Sequence, residues 1–191
     1  MARRKRQQSK KKHHEPFNVL NESRQQLRFF KQILQKNQRE GDRAAEALSH
    51  RKLGHAYYQL DQQWQSLESY QKALEIYQEL GDLYSVANDH SNVGNAYGAL
   101  RDFKQAIHHH KQSVELSEKE DFKDILLLSL TNLAAIYIAE KKLHKAIQTY
   151  RHALELSREL EQPVIEENSS HKLGQIYVSS TGITARCSRT R

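Results

Sequence analysis

The chain has 191 residues, 37% of them hydrophobic and 28% charged, with a mean hydropathy of −0.87; it is long enough for one or two cores but too polar for a single large one, so its apolar residues have to be used in thin layers. The formal charge of +7 is local, because Arg3, Arg4, Lys5, Arg6, Lys10, Lys11 and Lys12 all precede the first acid, Glu15, which leaves 23 of the 30 basic residues to face 23 acidic ones. The longest apolar run, ILLLSL at 125–130, falls far short of the ~20 residues that a membrane helix needs, and one cysteine, Cys187, provides no intramolecular disulfide, which points to a reducing compartment.

Residues 1–18 read as a disordered basic tail. Its clusters RRKR and KKK suit either a nuclear import receptor or nonspecific neutralisation of phosphates. No aromatic residue interleaves these charges before Phe17, which makes nucleic-acid binding the second of the two readings. From residue 19 a helical pattern takes over. The string QLRFFKQILQKNQREGD at 26–42 forms the end of a half-unit over 19–41. Full units follow at about 42–81, 82–121 and 122–161, then a single helix at about 163–180 and a second disordered tail over 181–191. Within the first full unit, Leu67, Tyr70, Leu74 and Tyr77 follow the 3-4-3 spacing of an amphipathic helix, and strand-like alternation fits nowhere.

The units keep one register. Gly54, Gly94, Ala134 and Gly174 lie 40 residues apart, as do Tyr57, Tyr97, Tyr137 and Tyr177. A glycine inside a helix costs roughly 1 kcal/mol relative to alanine, so its recurrence calls for a compensating contact. A close approach of the second helix of each unit at Ser66, Ala106 and Ala146 supplies one. Gly41-Asp42 and Gly81-Asp82 punctuate the array, Gly ending one helix in a left-handed conformation and Asp capping the next. Shorter turns are expected around Asp61, Arg101-Asp102 and Lys141-Lys142. A helix pair of this kind cannot bury its apolar face alone, so neighbouring pairs stack into an all-α solenoid.

The Leu or Val, Gly or Ala, and Tyr of each first helix, with Ala146, Tyr150 and Ala153-Leu154 in the third second helix, resemble the tetratricopeptide repeat. The 40-residue period and the strings GDRAAEALSHRKLG and GDLYSVANDHSNVGNAY are similar to the extended repeats of the Pins/LGN (G-protein-signalling modulator) family of spindle-orientation scaffolds. The resemblance implies a right-handed superhelix of antiparallel helix pairs whose concave groove binds peptide segments, with Asn and Arg among the groove residues. Several positions depart from the pattern. Ser66 and Ser113 replace alanines, His110 stands where an aromatic is usual, and His50, His90, Leu130 and Ser170 occupy a first-helix position where a large aromatic is expected.

First helices line the concave side of such an array. Residues three before and one after the small residue are four apart on the helix and project together, away from the joint. They are Arg51 and His55, Ser91 and Asn95, Thr131 and Ala135, and His171 and Gln175. Lys52, Asn88, Asn92, Asn132 and Lys172 are the adjoining polar positions. Amide side chains suit a peptide backbone, and the cations favour acidic side chains. The expected role is therefore a scaffold or adaptor that holds an acidic peptide, in the cytoplasm or, through the tail, in the nucleus; the alternative is a nuclear, nucleic-acid-associated factor using that tail. Arg51→Glu with Asn95→Ala is expected to weaken capture without lowering helicity. Consecutive residues His108, His109 and His110 cannot close one metal site, and no phosphate-cradling loop, nucleophile with its base or paired carboxylate stands out. No metal, cofactor or catalysis is expected.

Overall fold

The structure, a computed structural model, describes residues 16–181, and the left-handed backbone in it falls at a single interval. Gly41, Asp61, Gly81, Arg101, Asp121, Lys141 and Glu161 have φ of 70°, 58°, 71°, 61°, 58°, 57° and 52°, one every twenty residues. Between these points run α1 (Pro16–Glu40), α2 (Arg43–Gln59), α3 (Gln63–Leu80), α4 (Leu83–Ala99), α5 (Phe103–Lys119), α6 (Lys123–Ala139), α7 (Leu143–Glu159) and α8 (Pro163–Thr181). The basic clusters of the tail and Cys187 lie outside the described residues.

Every turn is built alike. The amide after each left-handed residue reaches back to a carbonyl five residues earlier, as in Asp42 to Asn37 at 3.1 Å, Gln62 to Tyr57 at 3.0 Å, Phe122 to Ser117 at 2.9 Å and Lys142 to Tyr137 at 2.8 Å. This is the bond that closes a helix end whose last carbonyls would otherwise lack donors. Asp42, Asp82 and Asp102 then accept the amides of Ala45, Ser85 and Gln105 at 3.0, 3.1 and 3.1 Å, capping α2, α4 and α5. The sequence locates these turns but marks only two with glycine, whereas the other five hold an L side chain in a conformation that costs about 1 kcal/mol. Lys141→Gly accordingly raises the urea midpoint by an amount equivalent to about 1 kcal/mol, and Gly81→Ala lowers it by as much.

Each helix packs against its neighbours in sequence, and α4 also touches α6. The core runs through the layers as clusters of repeat-equivalent residues. One holds Leu67, Tyr70, Leu74, Tyr77, Val86 and Val93; a later one holds Leu133, Ala134, Tyr137, Ala146, Tyr150 and Ile176. The small residues do admit the second helix. Ser66, Ala106 and Ala146 are fully buried, and Ser66 donates to the carbonyl of Gly54 at 2.8 Å. The tighter contact lies one turn further on. A Cβ on Gly54 would sit 2.6 Å from the Tyr70 ring and one on Gly94 2.9 Å from the His110 ring, while one on Gly174 would meet nothing within 4 Å.

Candidate functional site

With α3, α5 and α7 serving as second helices, α2, α4, α6 and α8 turn their remaining faces to one side. Between α2 and α4 this side holds a pocket of 270 Å³ lined by Arg51, Lys52, His55, Tyr70, Asn88 and Asn92. Five of these are residues that the sequence singles out by register alone. Tyr70 is the addition: its ring crosses over Gly54 and reaches the pocket from the second helix. Lys52 and His55 are exposed while Asn88 and Asn92 are half-buried, and the His55 ring meets the Gln59 amide at 2.9 Å.

Arg51 is not free in this pocket. Its Nε donates to Asp89 Oδ1 at 2.7 Å and its Nη2 to Asp89 Oδ2 at 2.9 Å and to the Ser85 carbonyl at 3.2 Å, while the guanidinium lies 4.5 Å from the centre of the Tyr77 ring. Asn92 donates to the same Asp89 oxygen at 2.9 Å. Asp89 is 0% exposed and the Arg51 side chain 18%, so this bidentate pair joins α2 to α4 inside the layer. Burial pushes the Asp89 carboxyl above its ordinary value, and the bonds from Arg51 oppose that shift. Burial works against the Arg51 cation too, but Asp89 outweighs it and holds the guanidinium above its usual value. Arg51→Glu would bury a second carboxylate beside Asp89, so the expectation that this change spares helicity is overturned. Asp89 escapes a reading of the sequence because its register column is otherwise serine, at Ser49, Ser129 and Ser169. One acid 38 residues after one arginine is the only trace it leaves.

Ser91 is also corrected. It is 0% exposed and its hydroxyl has no partner, because the short side chain at this position ends inside the packed layer where the long Arg51 of α2 reaches its edge. Asn95, Thr131 and Asn132 are half-buried on α4 and α6, and Thr131 turns its hydroxyl back to the Leu128 carbonyl at 2.7 Å. His171, Lys172 and Gln175 are exposed on α8, where the His171 ring meets the Gln175 amide at 2.8 Å. The histidine triplet disperses: His108 is exposed, His109 is half-buried and His110 is fully buried. Among the described residues no three His, Cys, Asp or Glu side chains gather as a metal site, and no helix is long and apolar enough to cross a membrane.

A family model described as tetratricopeptide repeat matches residues 65–119 and 84–159. No curated protein matches the sequence. Among solved structures, aspartyl phosphate phosphatase F from Bacillus subtilis superposes with a TM-score of 0.77 at 21% identity, covering 87% of this chain and 45% of that one. A Rap protein complexed with competence and sporulation factor gives 0.74 at 19% identity, covering 80% of this chain and 43% of that one. The tetratricopeptide-like repeats of a Podosopora anserina putative kinesin light chain give 0.70 at 16% identity, with 87% of each chain covered. The chain thus spans less than half the length of the first two, and at these identities the likeness is one of fold. The Pins/LGN resemblance rests on its quoted strings alone. Repeat signature, helix order and superposition together make this chain an all-α solenoid of the tetratricopeptide-repeat type.

Proposed function

We propose that the protein is an interaction scaffold and that the pocket between α2 and α4 takes an acidic, extended segment of a partner protein. The observation that carries this is the composition of the pocket. Lys52, His55, Asn88 and Asn92 converge there, and the one acid beside them, Asp89, is already matched by Arg51. A carboxylate entering the pocket meets an unmatched ammonium, and a peptide backbone meets amides that both donate and accept. Because the Arg51 pair ties α2 to α4, the pocket is formed before a ligand arrives, which lowers the ordering cost of binding. Asn95, Thr131, Asn132, His171, Lys172 and Gln175 extend the same strip along α4, α6 and α8.

The proposed role is binding rather than catalysis, and the phosphatase among the structural neighbours shares only the fold. Binding of a partner is supported by analogy with the Rap protein that is complexed with competence and sporulation factor. The test uses a fluorescent, Asp/Glu-rich peptide and its Asn/Gln counterpart, titrated against the full chain at two salt concentrations. The acidic peptide binds more tightly, and Lys52→Glu with Asn88→Ala weakens it about 10- to 100-fold with unchanged circular dichroism. Equal affinity of both peptides, or of the double variant, refutes the assignment.

A further inference from the structure

The α4–α5 joint differs in chemistry from the joints on either side. Position for position, the α2–α3 joint has His50, Ser69 and Tyr70, and the α6–α7 joint has Leu130, Thr149 and Tyr150; the α4–α5 joint has His90, His109 and His110. His110 takes the place of the tyrosine over the small residue, where it is fully buried against Gly94 with neither ring nitrogen hydrogen-bonded. His90 is 7% exposed, and its Nδ1 lies 3.1 Å from the Nδ1 of His109. One of those nitrogens must carry a hydrogen and the other must be bare, so the contact holds only while at least one ring is neutral.

What surrounds these rings offers no counter-charge. The groups bearing on His90 are His109 and His108 of α5, the group bearing on His109 is His108, and the group bearing on His110 is His109. From α4, the Tyr97 ring stacks on His109 at 5.5 Å. From α3, Gln71 donates to the Tyr97 hydroxyl at 3.2 Å. From α6, Ser129 is paired with Ser113 of α5 at 2.7 Å. Asp89, the acid adjoining His90 on α4, is occupied by Arg51.

We propose that this joint is an acid-triggered hinge, in which protonation of His90, His109 and His110 parts α4 from α5 in the middle of the array while the pairs on either side stay closed. Burial, reinforced by the neighbouring rings, lowers all three imidazoles from 6.5 to about 4. The opened chain therefore takes up protons from about pH 6.5 downward, whereas the closed joint does not until about pH 4. The contribution of the joint is complete above pH 6.5, falls through that window as the pH drops, and is spent below it. Each imidazole raises the opening constant by up to about tenfold per pH unit within the window. The hinge acts whatever the groove binds.

The neighbouring joint supplies the control. His90→Leu, His109→Thr and His110→Tyr together copy the residues of the α6–α7 joint, so packing is kept while three titrating groups are removed. Denaturant unfolding of both full chains across the window is expected to show the unsubstituted protein weakening more steeply by up to about three protons. Hydrogen exchange, corrected for the intrinsic effect of pH, is expected to rise first in α4 and α5. Parallel pH curves for the two chains, or exchange rising equally in every helix, would overturn the hinge. If the triple variant does not fold, the imidazole C–H resonances of the unsubstituted chain decide: three rings titrating far below the ordinary imidazole value of about 6.5 support the proposal, and all rings titrating together near that value refute it.

Discussion

Arg51→Ala destabilises the array by roughly 3–5 kcal/mol, the usual consequence of leaving a buried charge without its partner. Asp89 is entirely enclosed, and the substitution removes both guanidinium bonds at 2.7 and 2.9 Å; Asn92 remains as its donor. The carboxyl must then either stay charged in a layer that cannot solvate it or take up a proton. Asp89→Asn is milder, because it leaves the positive charge on Arg51, whose side chain still reaches water and still lies over Tyr77. Arg51→Met combined with Asp89→Leu recovers most of the loss, since a buried ion pair repays its desolvation poorly and apolar replacements of similar volume are often neutral. Urea unfolding at neutral pH, followed by far-UV circular dichroism, ranks the four chains. Equal losses for Arg51→Ala and Asp89→Asn, or a double variant worse than both, would show that the pair is not what joins α2 to α4.

The second large effect changes sign along the array. Gly54→Ala places a methyl group 2.6 to 2.9 Å from three ring carbons of Tyr70, which cannot yield without disturbing the cluster of Leu67, Leu74 and Tyr77 around it. Overpacking of this kind costs about 1–3 kcal/mol and exceeds the ~1 kcal/mol that alanine gains over glycine in a helix. Gly174 occupies the same register position on α8 but faces open space, so Gly174→Ala keeps only the gain and stabilises by up to about 1 kcal/mol. Thermal melting of the two single variants measures the contrast. A stabilising Gly54→Ala would mean that the Tyr70 ring moves aside freely.

The helices, their pairing and the place of each turn were legible in the sequence because each depends on local spacing repeated several times. The glycines at 41 and 81 and the aspartates after them announced two turns outright, and the interval carried the rest. Register also brought Arg51, Lys52, His55, Asn88 and Asn92 to one side. What it could not supply was which side chains meet across layers. Ser91 and Arg51 stand at equivalent positions, yet one ends in the packed interior and the other spans to a neighbouring helix, a difference of side-chain length that spacing does not weigh. Asp89 and the contact of His90 with His109 were hidden for the same cause: each joins residues on different helices, and neither follows the pattern of the other units. The apolar stripe of α3 places Tyr70 in the core, where it is buried, but a ring is large enough to be core at one edge and pocket wall at the other.

The uniform corner every twenty residues makes the strip modular in a way that obeys parity. Excising forty residues, for example 82–121, splices like to like, with each rod keeping its inward or outward office and a shorter strip closing over the cut. Excising twenty leaves every corner geometrically sound but exchanges the offices of all that follows, turning greasy flanks to water and hydrophilic ones to the interior. Natural or engineered length variants of this chain are thereby confined to those that gain or lose corners two at a time.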